Sequence, residues 1–143
     1  MYVSAAAIVI ASMLVVLGFA QQQPAASQPA SPLDALRAKL PDPSKPFTLV
    51  VEYKLKPGAD NYDAFRKLAK AAADGTRREP GFDAYEFHRG IDDPTQVLLF
   101  EKWKKFADLE KHFAEKHTGE FIEASKQYLA EPAKLRLMSP MFE

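Results

Sequence analysis

The stretch 98–117, LLFEKWKKFADLEKHFAEKH, passes from strand to helix with no Gly or Pro between them. Val97, Leu98, Leu99 and Phe100 are all apolar. A strand sends successive side chains to opposite faces, so one running here as far as Trp103 is apolar on both sides. In the helix that follows, Phe106, Leu109 and Phe113 fall at i, i+3 and i+7 and make one apolar stripe. The chain must therefore build a sheet with helices over one face and some further cover over the other. At about 100° per residue, His112 lies roughly 60° from Leu109, on the shoulder of the stripe. An imidazole there can look into a pocket between helix and sheet.

The remaining elements can be placed around this stretch. Phe47, Leu49, Val51, Tyr53 and Leu55 alternate as a first strand, ended by Lys56-Pro57-Gly58. A helix is expected over 60–79, with Tyr62, Phe65, Ala69 and Ala72 on one face and Pro80-Gly81 as its stop. A second strand over 82–89 would put Tyr85 and Phe87 on one side and Phe82 and Ala84 on the other. Asp92-Asp93-Pro94 turns into the third strand, 96–103. After the helix carrying His112, Thr118 is expected to N-cap a further helix, with Phe121, Ile122, Ser125, Tyr128 and Leu129 on its inner side. Pro132 ends it, and Ala133, Leu135 and Leu137 alternate as a last strand. The order β-α-β-β-α-α-β is the ferredoxin-like, split βαβ arrangement of the α+β class, with helices on one face of the sheet. A second copy is the natural cover for the other face, which predicts a homodimer with sheets packed face to face.

Ahead of this domain, expected over 47–143, the sequence changes character twice. Residues 2–20 carry no charge, and 5–17 are apolar except for Ser12. Gly18-Phe19-Ala20 offers small residues at the positions a signal peptidase reads, so 1–20 is expected to be a signal peptide, or an N-terminal membrane anchor if uncleaved. Either predicts an exported protein, periplasmic or extracellular. Residues 21–46 read as a Gln/Pro/Ala-rich linker. Within it Ser31-Pro32 can start a short helix through Leu40, whose Leu33, Leu36 and Leu40 stripe could dock on the domain.

Nineteen Lys plus Arg balance nineteen Asp plus Glu, so a phosphate-tracking surface, and with it nucleic acid as a main partner, is not expected. Cysteine is absent, which excludes disulfides, thiolate nucleophiles and Cys-based metal sites. No Gly-rich phosphate loop, nucleophile elbow or paired-carboxylate motif is present.

FTLVVEYKLKPG (47–58), REPGFDAYEFHR (78–89), Asp92-Asp93-Pro94 and FEKWKKFADLEKH with the second His at 117 together resemble the antibiotic biosynthesis monooxygenase (ABM) family, in its quinol-monooxygenase-like branch. The resemblance covers 47–139. It implies a dimeric α+β barrel and a cofactor-independent oxidation of a small phenolic, quinol-like or anthrone-like molecule by O2. Ground-state oxygen accepts single electrons, so such an enzyme must make its substrate electron-rich by deprotonating it in a dry pocket. That needs a base with pKa near neutrality, an apolar aromatic cavity and a donor for the developing oxyanion.

His112 resembles the family's helix histidine and is the candidate base. Tyr53, Tyr85 and Trp103 are the candidate pocket walls or donors, and Val51 and Ile122 the apolar lining. Haem-degrading relatives carry Asn, Trp and His where this chain has Val51, His112 and Ile122, so haem at those places is not expected. No metal is expected either: His117 would stand about 140° from His112 on a continuous helix, at its C-terminal end where the dipole favours a cation. Glu101 shares a strand face with Leu99 and Trp103, so it is expected to be a partly buried carboxylate in need of a partner. An isomerase or tautomerase acting on a small carbonyl compound, and a non-catalytic dimeric binding module, are the alternative functions.

Overall fold

A computed structural model describes residues 31–142; the expected signal segment and the first part of the linker, 21–30, lie outside them. In chain order the elements are α1 (Pro32–Arg37), β1 (Phe47–Lys54), α2 (Ala59–Thr76), β2 (Phe82–Arg89), β3 (Gln96–Trp103), α3 (Phe106–Ala114), α4 (Lys116–Ser125), a 3-10 turn (Lys126–Tyr128) and β4 (Lys134–Met138). The sheet order is β2-β3-β1-β4, with antiparallel pairing throughout. This is the expected ferredoxin-like α+β arrangement. No helix among the described residues is long and apolar enough to cross a membrane.

Register explains where the core lies. Phe47, Leu49, Val51 and Tyr53 stand opposite Trp103, Glu101, Leu99 and Val97, so all eight share the face under the helices, and all eight are buried. Phe65 of α2 and Phe121 of α4 close edge-to-face over Tyr53 and Phe87, which stack on each other, with ring centroids 5.4–6.3 Å apart. Such pairs add about 1 kcal/mol each to what burial alone contributes. The opposite face carries Leu98, Phe100 and Met138, which are 36%, 36% and 54% exposed in the single chain.

Within the domain three local expectations change. A bulge between Phe82 and Ala84 sets Phe82 opposite Trp103 and Tyr85 opposite Glu101. Phe82 therefore joins Tyr85 on the helix-covered face, where strict alternation would have put it on the other; one extra residue reverses the side-chain sense. Secondly, α2 ends at Thr76, which leaves Glu79 on the connection to β2 and free to turn inward. Thirdly, the helix after β3 is broken at Glu115, whose φ of −71° and ψ of 140° are extended. Glu115, not Thr118, is the N-cap of α4. Thr118 lies buried within the first turns of α4, and His117 in its first turn instead of at a helix C-terminus.

Gly81 fixes the α2–β2 connection. Its φ is +105°, and a Cβ there would meet the Asp108 carboxyl carbon at 2.4 Å, so only glycine fits. In the linker, α1 has the predicted start: Ser31 and Asp34 form a reciprocal capping box and Pro32 opens the helix. The helix stops at Arg37, three residues before the expected end, and it docks through buried Leu36 and partly buried Leu33.

Candidate active site

A cavity of about 920 Å³ opens between the helices and the sheet, near the upper end of the range for small-molecule sites. Val51 and Tyr53 of β1, Tyr85 of β2, His112 of α3 and Ile122 of α4 all line it. Five of the six residues expected at the site are therefore brought together. Trp103 is not among them. It is fully buried behind the wall, with its ring 4.9 Å from the His112 ring, and its Nε1–H donates to Glu101 Oε2 at 3.0 Å. A large ring at the end of β3 packs under the helix that follows it, so Trp103 acts on the cavity only through Glu101 and His112.

His112 is 2% exposed. Its Nδ1 lies 2.9 Å from Oε1 of Glu79, and the same oxygen lies 2.8 Å from Nε2 of His117. A carboxylate only accepts, so both nitrogens facing it carry hydrogen. Burial lowers the His112 pKa from the ordinary value, and the Glu79 carboxylate opposes this. The neutral ring with its proton on Nδ1 leaves a lone pair on Nε2, the form a general base needs. Tyr85 packs against the same ring at 5.4 Å, and Thr118 Oγ1 borders it at 3.3 Å from Nδ1.

Glu101 also lines the cavity. Burial raises its pKa to about 8, against the opposing Trp103 hydrogen bond, and Glu79 adds to the rise. At neutral pH it is predominantly a carboxylic acid and can donate a proton or a hydrogen bond. Burial also pushes both phenols, Tyr53 and Tyr85, upward, so they remain neutral donors.

Sequence reasoning did not reach Glu79, Thr118 or the contribution of α1. Glu79 is 33 residues from His112, and its only local mark is its place before Pro80-Gly81. Thr118 reads as a cap until the break at Glu115 is seen. From α1, Leu33 and Leu36 add apolar surface to the cavity wall, and Arg37 pairs with Glu110 of α3 at 3.2 Å. Among the described residues, Glu79, His112 and His117 also form a group of possible metal ligands, where the sequence led us to expect none.

Comparison with known proteins agrees with this architecture. The chain is 32% identical over 92 residues to the uncharacterized protein sll1783 of Synechocystis, an alignment covering 64% of this chain and 61% of that one. The chain thus spans about 61% of that relative's length. Among solved structures, Rv0793 of Mycobacterium tuberculosis superposes with a TM-score of 0.64 at 23% identity, covering 69% of this chain and 98% of that one. PA3566 of Pseudomonas aeruginosa gives 0.63 at 24%, covering 70% and 98%. A candidate antibiotic biosynthesis monooxygenase of Nitrosomonas europaea gives 0.63 at 24%, covering 67% and 99%. These likenesses show the fold. The profile of one family, antibiotic biosynthesis monooxygenase, matches residues 46–124, more than half of the chain. The chain belongs to the antibiotic biosynthesis monooxygenase family.

Proposed function

We propose that this protein is a monooxygenase that needs no cofactor and oxidises a small phenolic or quinol-like molecule with O2, His112 serving as its base. The observation that carries this reading is the Glu79–His112 hydrogen bond of 2.9 Å. It commits the Nδ1 proton and leaves Nε2 as the basic atom of a ring on the wall of an aromatic cavity.

For a phenol of the anthrol type the steps balance. His112 Nε2 takes the phenolic proton, and the phenolate passes an electron to O2. The radical pair then closes a C–O bond, giving a peroxide that takes the proton back from His112. Nε2 next removes the hydrogen on the oxygen-bearing carbon, the O–O bond breaks, and a C=O bond forms. The departing hydroxide takes that proton and leaves as water. One oxygen atom of O2 ends in the product and the other in water. Tyr53, Tyr85 and the protonated Glu101 are the neutral donors for the charge that builds on the substrate oxygen, and Val51, Phe121 and Ile122 keep the cavity apolar.

The test is oxidation under 18O2: one labelled atom in the product and one in water supports the reading, and an unlabelled product contradicts it. A second reading rests on Glu101. A carboxylic acid and a neutral imidazole on one cavity wall are the acid and base of an isomerase or tautomerase acting on a small carbonyl compound. Turnover without oxygen uptake would mark that chemistry.

We infer further that a second copy covers the open face of the sheet. Leu98, Phe100 and Met138 lie there together on β3 and β4, and two such faces packed together remove this apolar surface from water.

A further inference from the structure

His117 has no task in the base reading, because the Glu79 carboxylate already holds His112 Nδ1. Yet the fold goes to some length to place it. The break at Glu115 turns its ring back to 5.9 Å from that of His112. α2 carries Gly75 where the ring rests: a Cβ at Gly75 would lie 2.6 Å from the ring carbons, although alanine would suit the helix better.

We propose that Glu79, His112 and His117 form a binding site for a divalent cation of the zinc, cobalt or nickel type, held through a carboxylate oxygen, Nδ1 and Nε2. The three donor atoms lie within 4.8 Å of one another, with the carboxylate oxygen 2.9 and 2.8 Å from the two nitrogens. Two ligands about 2.0–2.1 Å from a metal and at right angles to each other are roughly 2.9 Å apart. The observed separations match edges of such a coordination polyhedron, and a cation can take the place of the two N–H hydrogens. Two imidazoles and one carboxylate suit borderline cations, whereas calcium and magnesium favour oxygen ligands alone. Thr118 Oγ1, 3.3 Å from Nδ1, and Thr76 Oγ1, 3.4 Å from His117 Nε2, stand where they can hydrogen-bond a water on the metal.

Occupancy has a consequence for the cavity. A cation takes the Nδ1 lone pair of His112, so the proton of the neutral ring moves to Nε2. The atom that served as base becomes a donor, and the metal-loaded protein is inhibited. Inhibition rests on the proposed monooxygenase reading; binding does not.

The experiment titrates the full chain with Co2+, then displaces it with Zn2+, following visible absorption and heat of binding. The expected result is one equivalent bound. Zn2+ moves the His112 proton from Nδ1 to Nε2 in imidazole nitrogen NMR spectra. His117→Ala, and separately Gly75→Ala, which displaces the ring without removing it, weaken binding by more than about 100-fold, beyond the usual effect of losing a supporting partner. Circular dichroism verifies that each variant is folded. The absence of saturable one-equivalent binding to the wild-type chain overturns the site, and so does unchanged affinity in folded Gly75→Ala. Metal binding without inhibition of a working enzyme leaves the site standing and removes His112 from the reaction.

Discussion

Glu79 Oε1 and His112 Nδ1 meet at 2.9 Å, joining the α2–β2 connection to α3 beside the cavity. Glu79 is 11% exposed in its side chain, so the bond is shielded from competing water. Glu79→Gln keeps the shape of the side chain and removes the charge. The amide oxygen still accepts but carries no full charge, and the NH2 group beside it can donate to an unprotonated ring nitrogen, so the tautomer of His112 is no longer enforced. The expected outcome is a fall in kcat of about 10-fold to 100-fold, within the range for general-base catalysis, with KM little changed. Steady-state oxygen uptake measures both, and an unchanged kcat would mean that Glu79 does not position the base.

Glu101 makes stability depend on pH. Its carboxyl binds a proton more tightly in the folded chain, at about 8, than at its ordinary value of 4.5. Between those values the native state holds the extra proton, so stability falls as pH rises. Glu101→Gln removes this dependence. The variant should gain on the wild type steadily from about pH 5 to about pH 8, by a few kcal/mol at most, and the difference should level off above that. Urea unfolding at a series of pH values measures it; parallel pH profiles would contradict the assignment.

The contact of α1 with the domain is local. Leu36 is its one buried residue, and the Arg37–Glu110 ion pair is largely exposed, so it contributes little. Leu36→Ala in a domain core would cost about 2–5 kcal/mol. Here the six-residue helix can undock alone, and global stability should fall by less than about 1 kcal/mol. Hydrogen exchange over 32–38 should speed up while β1 and β3 keep their protection. A large global loss would show that α1 belongs to the cooperative core.

Phe100 sits at the centre of the open sheet face. Phe100→Asp places a charge where the second copy would pack, and the molar mass by light scattering should fall from two chains to one. Phe100 is 36% exposed in the single chain, so the monomer itself should stay folded and lose about 1 kcal/mol. A wild-type chain that is already monomeric would refute the packing.

What was legible in the sequence follows the range of the signals. Strand alternation and the helical stripe at Phe106, Leu109 and Phe113 are local patterns, and they placed the sheet, the helices and His112 on the shoulder of the stripe; the family resemblance then singled out Val51, Tyr53, Tyr85 and Ile122. Phe82 was assigned to the wrong face because a bulge adds one residue without changing the composition. Thr118 and His117 were misplaced because nothing in KHFAEKH marks the break at Glu115; neither Gly nor Pro is there. Glu79 could not be found at all, since its partner is set by the packing of α3 against the connection after α2. The Trp103–Glu101 bond lay between. Their spacing put both on one face, and only the fold showed that Trp103 is the partner the buried carboxylate required.

The most direct test of the account is oxygen consumption by the purified protein, with no added metal or cofactor, against a panel of phenols, quinols and anthrones. His112→Ala is measured beside it. The account predicts uptake with at least one member of the panel and a loss of about 100-fold or more in the variant. Equal uptake by both proteins, or none by the wild type with any member, would contradict it.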